Sequence, residues 1–453
     1  MIVVMSDLHF SEAQSTQIGS KKFDRNLPVE IFKAYFTEIN QYAVNNQINK
    51  VDLVLAGDIL EISRSAIWLK GNHRPYISNE EVEPGSEVEK FILMIIEAIG
   101  NEDSVKQILF LFRKLDKYFE IPIQLHLILG NHDRLVNATP RTRRAVREMF
   151  GLGIDDDSFE NYRVFNDDLD KPFCLVRHGH EYDPTNFSMN TQHLDSIPIE
   201  LKASYYDKSC LGDIITIEFG AALSWYFVQD HGVEKILGSH KLLAIYKRLM
   251  EFDDVRPTTA WLAYLFSIPG VEKEKIWKLI EPSFTKVINT LSNSHSFFQT
   301  LQDSAVVSPF MAFSLKALLR SGLFKQRIPF WVIKRFMGVA SKSIKLNSQV
   351  KWAKREELIL NQKSGCKCVI SGHTHFAEVS LISAKKGDER YYINTGTWRN
   401  VIPAAKTYKE FGLLKAMTKV IIFYPMEKEP SEGGNEWSFQ YMSGVSFGNR
   451  RYL

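Results

Sequence analysis

Cysteine is scarce in this chain, and its scarcity limits the class of protein. Four cysteines in 453 residues, unevenly spaced, are too few for the disulfide framework of a small secreted protein. Cys366 and Cys368 stand one residue apart at the start of an apolar run. A position on a strand accounts for this pair better than a metal or redox site does. A reducing compartment is therefore the expectation.

Long apolar runs are lacking as well. Charge-free apolar stretches such as "SAVVSPFMAFSL" at 304–315 are shorter than the roughly 18 to 20 residues that a membrane span needs. The opening "MIVVMSDLHF" has no basic segment leading into an apolar one, as a signal peptide would, and it predicts a strand. We expect a cytoplasmic protein, with peripheral contact to a membrane surface left open.

Net charge is small, but it is unevenly distributed. The chain carries 56 basic and 53 acidic residues, and 45% of its residues are apolar, as in ordinary soluble globular proteins. Residues 304–355 contain eleven Lys or Arg and no Asp or Glu. This segment predicts a surface for anions, lipid headgroups or nucleic acid, the alternative being a solvated helix face. Within it, Lys334 and Arg335 are the predicted substrate contacts.

Several short runs rich in Val, Ile and Leu end abruptly in polar residues. They occupy 2–9, 51–58, 123–133, 173–180 and 367–375. Continuous apolar runs of this length fit strands that are covered on both faces. In open α/β sheets, ligands bind at the carboxyl ends of the strands. The pattern predicts an α/β fold whose site is assembled from strand ends.

The spacing between these runs changes late in the chain. His178 and His373 are 195 positions apart, too far for an unstructured loop in a compact domain. The segments between them have apolar residues at helical spacing. We therefore predict a core in two parts, 1–187 and 351–453, with a large helical insertion at 188–350 that forms a cap.

The polar residues at the strand ends have the chemistry of metal ligands. They are Asp7, His9, Asp58, Asn131, His132, His178, His373 and His375. Oxygen and imidazole donors without a thiolate suit Mn²⁺, Fe or Zn²⁺. One shared carboxylate can bridge two ions about 3.5 to 4 Å apart, and such a pair makes hydroxide available near neutral pH and neutralises charge on a phosphoryl oxygen. This set predicts hydrolysis at phosphorus.

Five motifs in this order resemble those of the calcineurin-like metallophosphoesterase superfamily. They are "DLH" (7–9), "GDILE" (57–61), "GNHD" (130–133), "HGH" (178–180) and "GHTH" (372–375). The resemblance covers about 1–185 and 365–425. It implies a two-sheet sandwich flanked by helices.

The resemblance also implies roles for individual residues. Two divalent ions are implied, Mn²⁺ above all, with Fe, Zn²⁺ and Mg²⁺ as alternatives. The implied ligands of one ion are Asp7, His9, Asp58 and His375, and those of the other are Asp58, Asn131, His178 and His373. His132 is implied to contact the phosphate and protonate the leaving group, while Asp133 orients its imidazole by accepting a hydrogen bond.

The substrate stays open among phosphomonoesters, phosphodiesters and pyrophosphates. The basic segment loosely resembles part of the lipid-linked sugar-nucleotide (UDP-2,3-diacylglucosamine) pyrophosphatases. That subgroup commonly has Arg at the place of His132 and His-Gly-Asp at the place of "HGH", and its insertion is smaller. A nuclease would use the same basic surface. A non-catalytic scaffold or protein-docking module is the alternative from another class, and a protein partner is not identified.

Overall fold

The structure is a computed structural model, and it describes most of the chain. The described residues are 1–23, 25–167, 169–304, 316–317, 328–331, 348–385, 388–405, 407, 409–424 and 437–445. Lys334 and Arg335, the predicted substrate contacts, lie outside the described residues, as does most of the basic segment 304–355.

The described strands, numbered in chain order, form two sheets and a small hairpin. The larger sheet contains β1 (Ile2–Met5), β4 (Val51–Ala56), β5 (Ile123–Ile128), β8 (Val255–Arg256), β12 (Asn400–Pro403), β13 (Leu414–Phe423) and β14 (Ser438–Val445). The second sheet contains β6 (Tyr162–Asn166), β7 (Pro172–Arg177), β9 (Cys368–Ser371), β10 (Ala377–Lys385) and β11 (Asp388–Thr395). The hairpin pairs β2 (Gln17–Ile18) with β3 (Lys21–Lys22).

Strand order brings the carboxyl ends of the motif-bearing strands to one edge. The larger sheet has the order β5-β4-β1-β13-β12-β8, with β14 also paired to β13. Its neighbours β5, β4 and β1 are mutually parallel. The second sheet has the order β10-β11-β9-β7-β6, and β7 and β9 are parallel. Each motif therefore follows a strand whose neighbour carries another motif.

The two sheets pack face to face, as the alternation of side chains along a strand requires. Ile2 and Val4 of β1 enter the core between the sheets, where they meet Cys174 and Ile370 of the second sheet. Val3 points the other way, into the core under the helices. The expected two-sheet sandwich flanked by helices is confirmed.

The described helices occupy three parts of the chain. Those of the first part are α1 (Val29–Asn45), α2 (Glu87–Asn101), α3 (Asp103–Phe112) and α4 (Pro140–Phe150). The middle part has α5 (Ala203–Asp207), α6 (Leu211–Ile214), a π-helical turn (Ile215–Phe219), α7 (Ala222–His231), α8 (Val233–Leu237), α9 (His240–Met250), α10 (Trp261–Leu265), α11 (Lys273–Asn293) and α12 (His295–Asp303). The last part has α13 (Val350–Ala353) and α14 (Glu357–Leu360).

Local sequence explains where these helices begin and end. In α4, the Thr139 hydroxyl accepts from the Thr142 amide, and Pro140 occupies the first turn, where no amide donor is needed. Gly151 ends the helix in the left-handed conformation with φ of 71°. The buried face of α2 has Ile92, Ile96 and Ile99 at helical spacing, and these residues enter the core under the helices.

The middle helices are continuous with the rest of the fold. Ile217 and Leu249 belong to the same buried cluster as Phe32 of α1. The short strand β8 pairs in parallel with β12, with Val255 opposite Ile402. The insertion thus supplies an edge strand of the larger sheet.

One helical stretch of the described residues, Ala203–His231, is long and apolar enough to cross a membrane by length and composition. Of its most apolar window, 67% is buried inside the protein. Buried core helices pass the same test, so this stretch is accounted for by the packing of the fold.

Candidate metal centre

The predicted metal ligands converge at the shared edge of the two sheets. Asp7 and His9 follow β1, and Asp58 follows β4. Asn131, His178, His373 and His375 follow the ends of β5, β7 and β9. All of these side chains are buried except that of His373, which is half-buried. Residues from both ends of the chain therefore form one cluster.

Asp7, His9 and His375 form a first group, whose ligand atoms all lie within 4.8 Å of one another. The Nε2 atoms of His9 and His375 are 3.0 Å apart. Asp7 Oδ1 lies 3.2 Å from His375 Nε2 and 3.8 Å from His9 Nε2. Two imidazoles and a carboxylate at these separations match the donor set of a divalent transition metal.

Asp58, His178 and His373 form a second group of the same kind. Asp58 Oδ2 is 3.2 Å from His178 Nε2, and it is 3.7 Å from His9 Nε2 of the first group. Asp58 is therefore the carboxylate that faces both groups. Asn131 adds a buried Oδ1 atom that makes no hydrogen bond, while its Nδ2 donates to Asn186 Oδ1 at 3.4 Å.

Hydrogen bonds hold the histidine rings so that one nitrogen of each faces the cluster. His178 Nδ1 bonds to the Ala56 carbonyl at 2.9 Å, and His9 Nδ1 lies 2.9 Å from Glu61 Oε2. His373 Nε2 lies 3.1 Å from Asp183 Oδ2, which leaves Nδ1 as its other donor atom. Metal-binding histidines typically have such a partner on the second ring nitrogen. His178 Nε2 is buried and makes no hydrogen bond, so the residues present fit a bound metal.

The backbone at these strand ends is unusual. Among the described residues, the non-glycine residues with positive φ are Asp7, His9, Gln47, Asp58, Asp170, His373 and His375. Five of these seven residues are predicted metal ligands, namely Asp7, His9, Asp58, His373 and His375, and their φ values lie between 46° and 68°. Left-handed backbone is uncommon outside glycine and concentrates at functional sites. It turns these side chains out of the strand direction and toward one point.

Two glycines of the motifs are required by close approach to the site. A Cβ atom on Gly130 would lie 2.3 Å from Asp58 Oδ1, and one on Gly57 would lie 2.3 Å from His178 Nδ1. Gly57 also has a φ of 87°. Any side chain at either position would displace the carboxylate or the imidazole, which explains glycine there in physical terms.

His132 is oriented by Glu61, so the structure corrects the expectation for Asp133. His132 Nδ1 contacts Glu61 Oε1 directly and lies 3.3 Å from Ser63 Oγ. Asp133 instead accepts hydrogen bonds from the Gly130 amide at 2.6 Å and the Ile59 amide at 2.7 Å. Its carboxylate turns back toward the backbone and ties two motif loops together. It does not contact the His132 imidazole.

Electrostatics favour the charged forms of His132 and Glu61. Burial alone would lower the pKa of His132, but the Glu61 and Asp58 carboxylates raise it to about 10. Burial would likewise raise the pKa of Asp58, but His178 and His132 hold it well below its usual value. The same holds for Glu61, whose pKa is lowered by His132 and His9 against the effect of burial. His132 is thus protonated at neutral pH and suited to donate a proton.

Three residues near the cluster were not identified from the sequence as site residues. Glu61 was part of a quoted motif, and Asp183 follows "HGH" closely, so a carboxylate within or just after a motif was the available signal. The third, Arg256, lies on β8, and its Nη2 donates to His375 Nδ1. The two residues are 119 positions apart, and no local pattern in the sequence indicated this contact.

The match to a protein family agrees with this geometry. A family model described as calcineurin-like phosphoesterase matches residues 1–242, which is more than half of the chain. The match includes the strand ends through His178, whereas His373 and His375 lie beyond it. A comparison with curated proteins finds no match for this chain.

Proposed function

The chain belongs to the calcineurin-like phosphoesterase family, and from this premise we propose that it is a phosphoric ester hydrolase dependent on two divalent metal ions. The observation that supports this best is the position of Asp58 between two groups of ligand atoms. A single carboxylate shared in this way is the feature that a two-metal hydrolytic site needs.

Each ion has its own set of residues in this proposal. Asp7, His9 and His375 hold one ion, and His178, His373 and Asn131 hold the other, with Asp58 shared by both. We propose Mn²⁺ as the first metal to test, because the donors are oxygen and imidazole. Fe, Zn²⁺ and Mg²⁺ follow.

The bound ions supply hydroxide at neutral pH and neutralise charge on the phosphoryl group. The protein's own residues supply the proton. Glu61 fixes the His132 ring through Nδ1, which leaves Nε2 to donate to the leaving oxygen. The His132 amide donates to Asp58 Oδ1 at 2.9 Å, so the acid and the shared ligand are held in a fixed relation.

The test combines metal content with turnover on a panel of phosphoesters. Purified protein is loaded with Mn²⁺ and assayed on 4-nitrophenyl phosphate, bis(4-nitrophenyl) phosphate, pyrophosphate, a lipid-linked sugar nucleotide and single-stranded DNA. His132→Ala should keep its metal and lose roughly 10² to 10⁴ in rate, the range of a general acid. Asp58→Ala should lose metal and activity together.

The panel also separates the open alternatives. Cleavage of DNA with a steep dependence on salt would favour a nuclease, and cleavage of the sugar nucleotide would favour the pyrophosphatase. If metal-loaded wild type is no faster than His132→Ala on every compound, the catalytic proposal is wrong and a scaffold or docking role takes its place.

A further inference from the structure

The insertion contributes an arginine to the edge of the metal centre. Arg256 is half-buried on β8, opposite Pro403 of β12. Its Nη2 donates to Nδ1 of His375, a predicted metal ligand. Arg256 therefore lies beside the predicted metal centre, although it belongs to none of the five motifs.

The position of this side chain is fixed from both sides. The backbone carbonyl of Arg256 accepts from the Ala404 amide at 2.9 Å. Its Nη1 donates to the carbonyls of Asp253 at 2.6 Å and Val255 at 3.0 Å. These neutral acceptors hold the guanidinium without neutralising its charge.

Arg256 belongs to a group of four arginines, and the other three form ion pairs with carboxylates. The guanidinium groups are those of Arg25, Arg64, Arg256 and Arg399, and the carboxylates around them are those of Asp253, Asp254, Glu61 and, without direct contact to Arg256, Asp7. Arg25 pairs with Asp254 at 3.1 Å and Arg64 with Asp253 at 2.9 Å. Arg399 pairs with Asp254 and lies 3.6 Å from Glu61.

Arg256 differs from the other three arginines in its ion pairing. Among the described residues, no carboxylate lies within ion-pairing distance of it. The guanidinium of arginine is charged at neutral pH. A partly desolvated charge of this kind is stabilised by an anionic ligand.

The contact with His375 depends on which ring nitrogen carries the proton. Arginine can only donate, so His375 Nδ1 accepts from Arg256 while its proton is on Nε2. The guanidinium therefore lies directly against a predicted ligand, at the edge of the proposed site.

On the basis of the proposed function, we propose that Arg256 binds a terminal phosphoryl group and that the substrate is a phosphomonoester. A monoester dianion has one more negative charge and one more non-bridging oxygen than a diester. An unpaired guanidinium matches both, because its planar donors bind two oxygens of one phosphoryl group.

The test uses full-length, metal-loaded protein with Arg256→Met and Arg256→Lys. Arg256→Met keeps the length of the side chain and removes its charge. It should lower kcat/KM on 4-nitrophenyl phosphate by about 10² to 10³, as for loss of a preorganised donor, and lower it far less on bis(4-nitrophenyl) phosphate. Arg256→Lys should fall between wild type and Arg256→Met on the monoester.

Binding of inorganic phosphate, measured by calorimetry, gives a second readout that needs no turnover. Arg256→Met should weaken it roughly 10- to 100-fold, as expected for charge-assisted hydrogen bonds, with bound metal and the circular dichroism spectrum unchanged. Arg248→Met is the matched control. Arg248 is an arginine of the same insertion whose Nη1 donates to the Tyr264 carbonyl and Ser267, and its loss should leave phosphate affinity unchanged.

Several results would overturn the assignment. They are equal losses on the two esters, unchanged phosphate affinity, loss of metal from Arg256→Met, or a wild-type preference for the diester. If wild type cleaves none of the compounds of the phosphoester panel, the proposed hydrolase function fails, while phosphate affinity still decides whether Arg256 binds the anion.

Discussion

Replacement of Glu61 by glutamine is the sharpest test of how His132, the proposed general acid, is held. Glu61 is fully buried; its Oε1 contacts His132 Nδ1, and its Oε2 lies 2.9 Å from His9 Nδ1. Glutamine keeps the shape and one acceptor but removes the negative charge. The substitution therefore separates the electrostatic role of Glu61 from its role in packing.

The expected effect on pH dependence follows from the charge. Glu61 and Asp58 raise the pKa of His132 to about 10 against the effect of burial. Without the Glu61 charge the imidazolium releases its proton at lower pH, and a general acid must be protonated to act. The basic limb of the kcat/KM profile should therefore move to lower pH. At neutral pH the rate should fall about 10- to 100-fold, the usual result of losing the partner of a site histidine.

Asp133→Asn is the matched control for this experiment. Asp133 accepts from the amides of Gly130 and Ile59, so its replacement should lower thermal stability without moving the basic limb. Metal content is measured in both variants, because Glu61 also contacts His9. If Asp133→Asn moves the limb and Glu61→Gln does not, the orientation of His132 by Glu61 is refuted.

Three further substitutions test the site and its support. Asp254→Asn should lower the free energy of unfolding by about 3 to 5 kcal/mol in urea titrations, since it leaves buried Arg25 without its ion pair and takes the nearer of two carboxylates from buried Arg399. Burial would raise the pKa of Asp254, but these arginines hold it below its unfolded value, so wild-type stability should decline at acid pH and that of the variant should decline less. Trp398→Ala should cost about 3 to 5 kcal/mol by calorimetry, because its buried ring fills the core; an unchanged midpoint would contradict this packing. Asn131→Ala should lower the content of one metal ion while changing the stability of chelator-treated protein little, because Oδ1 makes no hydrogen bond and the Nδ2 bond to Asn186 is long at 3.4 Å.

The α/β class and the convergence of the strand ends could be predicted from local pattern, whereas the two-sheet sandwich was implied by the resemblance of the motifs. Apolar runs such as 51–56 are buried throughout, and parallel pairing brings their polar ends together. The short distances among Asp7, His9 and His375 follow from that topology. Whether these side chains hold metal in solution is what the proposed variants measure.

The contacts of individual carboxylates could not be predicted. The resemblance of the motifs implied Asp133 as the partner of His132, but the direction of a side chain depends on backbone φ and on the loop opposite. Asp133 turns toward the amides of Gly130 and Ile59, and Glu61 approaches from the neighbouring strand end. Such a choice is set by tertiary structure.

Arg256 was missed for a related reason. Strand β8 has two residues, too few to produce a periodic pattern, and its place is decided by pairing with β12 far along the chain. The division at 188–350 described the insertion as a cap and stays a prediction about domain limits. Within the described residues, its helices share their core with α1 and α3.

The pairing of β8 with β12 has a consequence for the engineering of this protein. A segment that provides an edge strand, part of the common core and a charged group beside the predicted metal centre cannot be trimmed away to leave a smaller stable fold. Deleting it would expose the rim of the sheet and the apolar undersides of neighbouring helices. Shortened variants should aggregate. Substitutions should be tolerated on the exposed surface of the middle helices and not on their buried face or on β8.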